Sequence, residues 1–170
     1  FSLPWMSLLL LTALAGCTSG RTAPVTVRSI GGPTALVEIG GARFLTDPTF
    51  SPPGSYPVTP ERSLVKTEGP AVAPEDLGPV DAVLLSHDQH PDNLDPAGRA
   101  FVAHARRTFS TPLAASRLEG NVTGLAPWER IRFVAANGRS FTITAVPARH
   151  GPEGSEALTG PTTGFVIESP

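Results

Sequence analysis

Residues 81–95 read DAVLLSHDQHPDNLD. The first six are a continuous apolar run without alternation, the pattern of a strand covered on both faces. The run stops at Ser86, and the following residues hold two histidines, His87 and His90, and two aspartates, Asp88 and Asp92. The C-terminal end of a strand is where a rigid sheet hands over to a loop, a common place for metal-binding or catalytic side chains. Neutral imidazole beside carboxylate suits zinc and neighbouring divalent metals. The spacing alone also fits a solvated polar loop, so the rest of the chain has to discriminate.

Upstream, residues 25–30, 34–39 and 42–45 have the composition of three short strands, punctuated by Gly31-Gly32-Pro33 and Gly40-Gly41. Residues 46–62 contain five prolines, which predicts a long loop without regular structure. Downstream, Asp95-Pro96 places an N-cap acceptor before a first-turn proline and predicts a helix to about Arg106. Thr111-Pro112 repeats the device for a second helix that Gly120 can close. Residues 130–134 and 140–146 flank Asn137-Gly138, a hairpin signal, and 163–169 form a last strand. Strands with helices inserted between them imply sheet layers with helices outside them. A chain stopping directly after a strand is expected to be the N-terminal part of a longer domain.

The strand at 140–146 leads to His150, so a third histidine also lies just past a strand end. These three can face one another across one sheet edge. The fourth, His104, falls within the first predicted helix beside Arg106 and Arg107, where a solvated role is expected.

The bulk properties narrow the function classes. The chain has 170 residues, 40% of them hydrophobic, and a formal net charge of −2. That supports one domain with a real core and gives no basic excess for a nucleic-acid partner. The single cysteine excludes an internal disulfide. It closes the apolar run MSLLLLTALAGC (6–17), which resembles the lipobox of bacterial lipoproteins, with a hydrophobic region short for a bilayer span and small residues at the cleavage point. An uncleaved membrane anchor and a chance apolar terminus are the competing readings. The expected organisation is a signal peptide over 1–17 with lipidation at Cys17, a linker over 18–24 and a domain over 25–170. The expected location is the bacterial cell envelope, held through the lipid.

Four segments, FLTDPTF (44–50), DAVLLSHDQHPDNLD (81–95), TAVPARHG (144–151) and TGFVIES (163–169), resemble in that order the metallo-β-lactamase-fold hydrolases. They are most similar to the branch of lactonase-like and N-acyl-phosphatidylethanolamine-phospholipase-like proteins. The resemblance implies an α+β fold, the αββα sandwich of metallo-β-lactamase type. The family's signature is His-x-His-x-Asp-His, and this chain departs from it. One residue is inserted before the second histidine, and Asn93 stands where the third belongs. The carry-over makes His87, His90 and His150 ligands of one metal, with Asp92 as a ligand or base. Without an insertion, Gln89 takes the second position and His90 is a bystander. Asn is a poor zinc ligand, which puts a two-metal site in doubt. Asp47 matches an aspartate that supports the histidine loop from behind; a plain turn residue before Pro48 is the alternative.

The chemistry implied is metal-assisted hydrolysis with one or two zinc ions or another divalent metal. Water activated by the metal would attack an ester, lactone or phosphodiester-type bond in a small-molecule or lipid-like substrate, with Asp92 orienting or deprotonating it. A membrane-tethered scaffold that kept the fold and lost the metal is the alternative, motivated by Gln89 and Asn93.

Overall fold

The computed structural model describes residues 24–155 and 159–169. Cys17 and the apolar run before it lie outside these residues.

The chain begins with an antiparallel meander of β1 (Val25–Gly31), β2 (Thr34–Ile39) and β3 (Ala42–Thr46). Gly40 and Gly41 turn β2 into β3 with φ of +56° and +79°, a pair of left-handed conformations that suits a two-residue hairpin loop and favours glycine at both places. The apolar run of residues 81–86 gives the short central strand β6 (Ala82–Leu84), buried on both faces. It lies parallel to β3 on one side and to β7 (Thr108–Ser110) on the other, and β7 pairs in parallel with β8 (Val122–Gly124). The result is a mixed six-stranded sheet in the order β1-β2-β3-β6-β7-β8.

The parallel connections are made by helices. α1 (Pro96–His104) opens where Asp95 accepts from the Gly98 N–H, and α2 (Pro112–Arg117) opens where Thr111 accepts from the Ala114 N–H. Both predicted caps are therefore made. α2 ends at Leu118 in extended conformation, ahead of the glycine expected to close it. His104 is exposed in the last turn of α1.

A second sheet, antiparallel and in the order β11-β10-β9, comprises β9 (Arg130–Val134), β10 (Ser140–Ala148) and β11 (Thr162–Glu168). The Asn137-Gly138 turn joins β9 to β10, with Gly138 at φ +82°. The two sheets pack face to face. Phe44 and Leu84 of the first meet Phe133, Phe141 and Ile143 of the second, and Phe44 stands edge-on to Phe141 with ring centroids 5.3 Å apart. On the other face of the first sheet, Leu45, Val83 and Leu85 pack with Val102 of α1. Alternate residues of one strand thus serve two cores, which is why β6 has no polar face. The architecture is the expected α+β sandwich with mixed sheets and few helices.

The proline-rich stretch departs from expectation. Residues within 46–62 form most of a hairpin, β4 (Gly54–Thr59) paired with β5 (Arg62–Lys66). A proline costs a ribbon little when it sits at an irregularity or in the turn. Pro57 borders the register shift before Thr59, and Pro60 falls between the strands.

Candidate metal centre

Strands β3 and β6 run side by side and end together, and their first loop residues hold each other. Asp47, just past β3 with φ +29°, accepts from the Ser86 N–H through Oδ1 at 2.7 Å. The Ser86 carbonyl accepts from the Thr163 N–H of β11 at 3.0 Å, so the point where the histidine loop leaves the first sheet is bonded to the second. Asn93 donates its amide N–H to the His87 carbonyl. Farther along, the Leu94 N–H donates to the His90 carbonyl at 3.0 Å, folding the chain toward α1.

On this frame three imidazoles converge. His87, His90 and His150 each turn one nitrogen toward a common point, and these atoms all lie within 4.8 Å of one another. His90 Nδ1 is 3.4 Å from His87 Nε2 and 3.2 Å from His150 Nε2. The rings stand edge-on, with interplanar angles of 82°, 88° and 78°. Ser86 Oγ lies 2.9 Å from His87 Nδ1. When Nδ1 carries the proton and donates it there, the Nε2 lone pair is left for the shared point, the usual way an outer partner selects a ligand tautomer.

The electrostatics favour a neutral imidazole at His87. His87 is pushed down from 6.5 to about 4, first by burial and then by the like charges of His150 and His90. Asp47 is pushed up from 3.8 to about 6 because burial outweighs its hydrogen bonds to Ser86 and Asn93, with the charge of Asp92 adding to the rise. Three imidazole nitrogens around one point are the donor set of a divalent metal, and three protein ligands leave further coordination positions open to water or substrate.

The structure brings together His87, His90 and His150. Gln89 turns elsewhere: its Oε1 accepts from the Asp88 N–H at 3.1 Å, and its amide fills the space beside Gly160, where an added Cβ would lie 1.9 Å from Gln89 Nε2. Asp92 is exposed and is not part of the histidine group. Its charge reaches both His87 and Asp47, and with Pro91 it lines a neighbouring cavity of about 320 Å³ under Lys66 and Thr49. Asn93 is buried, and its Oδ1 has no hydrogen-bond partner among the described residues.

Four further residues, Ser86, Asp88, Arg99 and Arg117, take part in the site without having been among its expected members. Ser86 was seen only as the end of an apolar run. Asp88, between the two histidines, is buried and paired with Arg117, while Arg99 holds its carbonyl. Arg117 is 29 residues from Asp88, and no local pattern announces such a pair.

Residues 42–170 match a family model described as a beta-lactamase superfamily domain. Among curated proteins, the chain is 36% identical over 141 residues to an uncharacterised protein of Mycobacterium tuberculosis, covering 77% of this chain and 35% of that protein. It is 27% identical over 131 residues to N-acyl-phosphatidylethanolamine-hydrolyzing phospholipase D 1 of Caenorhabditis elegans, covering 71% of this chain and 36% of that one. The chain thus spans about a third of the length of the curated relatives it matches. Two solved structures share the fold. An isothiocyanate hydrolase from Delia radicum gut bacteria has a TM-score of 0.63 at 23% identity, covering 84% of this chain and 58% of that one. A possible metal-dependent hydrolase from Veillonella parvula has a TM-score of 0.67 at 21% identity, covering 86% and 59%.

Proposed function

Because the chain belongs to the metallo-β-lactamase superfamily, we propose that the protein is a metal-dependent hydrolase whose metal is held by His87, His90 and His150. One observation carries the reading: three histidines from the ends of strands in two different sheets present nitrogens to one point. We take the metal to be zinc. Imidazole nitrogens from three side chains, all within 4.8 Å of one another, support that choice, because zinc is commonly held by such a set.

A bound divalent metal supplies Lewis-acid chemistry, acidifying water and polarising a carbonyl or phosphoryl oxygen. The chain's own residues prepare that site. Ser86 orients His87, Asp47 fixes Ser86, and the lowered pKa of His87 keeps it unprotonated through the neutral range. Asp92 is the proposed group for orienting water or taking its proton, on the same loop as His90. Asn93, a poor zinc ligand, stands where the family's further histidine belongs, so the reading is of one metal at the triad.

For the substrate we propose an ester, lactone or phosphodiester-type bond in a small or lipid-like molecule. The motifs at 44–50, 81–95, 144–151 and 163–169 support that branch, as does the likeness to a phospholipase named for an N-acyl-phosphatidylethanolamine.

The test is the metal content of the purified full-length protein, wild type beside His90→Ala. The expected result is about one equivalent of zinc in the wild type and little in the variant. Unchanged zinc in the variant would make His90 a bystander, and no metal in either protein would favour a binding scaffold that kept the fold.

A further inference from the structure

The loop between His87 and His90 offers the metal point two side chains for one place, Gln89 and His90. We propose that Arg117, acting through Asp88, is the positioning residue that decides between them; the proposal rests on the reading of the three histidines as a metal centre.

Asp88 follows His87 directly, and its carboxylate is only 4% exposed. It is not one of the groups that converge on the metal point. The last residue of α2 takes it instead: Arg117 Nε donates to Asp88 Oδ2 at 3.0 Å, and an Nη donates to Oδ1. Such a two-pronged pair fixes orientation as well as distance. From the other helix, Arg99 Nη2 of α1 donates to the Asp88 carbonyl at 2.8 Å. Residue 88 is therefore gripped by both helices that flank the parallel strands, on its side chain and on its backbone.

The grip has a consequence for the next residue. The Asp88 N–H donates to the Gln89 side-chain oxygen, and Gln89 lies against Gly160. With the side chains of 88 and 89 both committed away from the histidines, His90 is the next one free to meet His87 and His150. Among the described residues Arg117 is the only cation bonded to the Asp88 carboxylate. A buried carboxylate without its partner is costly, so removing the guanidinium drives Asp88 to turn, toward solvent or toward the metal point as a competing oxygen donor. Either movement releases Gln89 and shifts the loop.

Cobalt(II) reports this directly, because its visible absorption depends on ligand identity and geometry. The full-length protein, stripped of metal and titrated with cobalt, is compared with Arg117→Gln, Asp88→Asn and Arg117→Lys, each checked for folding by circular dichroism. The expected result is cobalt bound at least tenfold more weakly by Arg117→Gln, with a displaced absorption band. Asp88→Asn should change in the same direction, and Arg117→Lys should lie between, since it keeps the charge and loses the fork. Folded Arg117→Gln and Asp88→Asn proteins with wild-type cobalt affinity and spectrum would overturn the clamp alone. Failure of both variants to fold would overturn it too, by making the pair a support of the whole fold. A wild type that takes up no cobalt would overturn the metal centre and the clamp with it.

Discussion

Asp47 shows how a single carboxylate serves two demands. It sits past the end of β3 with a left-handed φ and bonds the Ser86 N–H, and burial holds its pKa at about 6 against 3.8 for the free side chain. A group whose folded pKa is raised binds more protons in the native state, so its stabilising contribution is full below about 3.8 and lost as pH climbs through about 6. His87 has the opposite sign: its pKa falls from 6.5 to about 4, and the metal-free native state loses stability as pH drops through that interval. The two oppose each other, so wild-type stability alone conceals both. Asp47→Asn keeps the acceptor oxygen and removes only the titration. In chelator, the stability difference between wild type and Asp47→Asn should move in favour of wild type between pH 7 and pH 5, as read by urea unfolding. A difference that stays constant, or moves the other way, would contradict the raised pKa.

The element that carries most of the local support is the start of α1. Asp95, whose side chain is fully buried, accepts from the Phe50, Ser51 and Gly98 N–H groups and from Lys66 Nζ. It ties the loop after β3, the β4–β5 hairpin and the helix to one carboxylate. Lys66 also donates to the Thr49 carbonyl at 3.0 Å. Gly98 makes this junction tight: a Cβ there would lie 1.8 Å from the Pro48 carbonyl oxygen. In an ordinary helix, replacing Gly by Ala stabilises by about 1 kcal/mol. Here Gly98→Ala should instead destabilise by roughly 1–3 kcal/mol, because the backbone of residue 48 has to move. Urea denaturation decides the sign, and a variant as stable as wild type would show the junction to be looser than described.

Across the described residues the two larger sheets meet over an aromatic core, and the three histidines gather where strand ends from both come together. His87 and His90 follow β6 of the first sheet, and His150 follows β10 of the second. A metal there would join the sheets across 60 residues of chain. A ligand that binds only the native state stabilises it by RT ln(1 + L/Kd), with L the free ligand concentration, and a site built from distant segments does not exist in the unfolded chain. Chelation should therefore lower the thermal midpoint of the full-length wild type by several degrees and leave His150→Ala nearly unmoved. Equal shifts in both proteins would mean that the chelated metal acts elsewhere.

Much of this was legible in the sequence, for a physical reason. The uniform apolar run of β6, the Asp95-Pro96 and Thr111-Pro112 caps and the Asn137-Gly138 turn are set by residues a few positions apart, and each formed where the pattern placed it. The three histidines were visible as strand-end residues on the same grounds. The short strands β7 and β8 were missed because three residues carry no periodicity, and the β4–β5 hairpin because its prolines lie where pairing is already interrupted. The sequence could not say whether Gln89 or His90 faces its partners. The tertiary structure decided that, through the Gly160 surface, the Arg117 fork and the arrival of His150, because a choice between adjacent side chains is made by what packs against them and not by their neighbours in the chain.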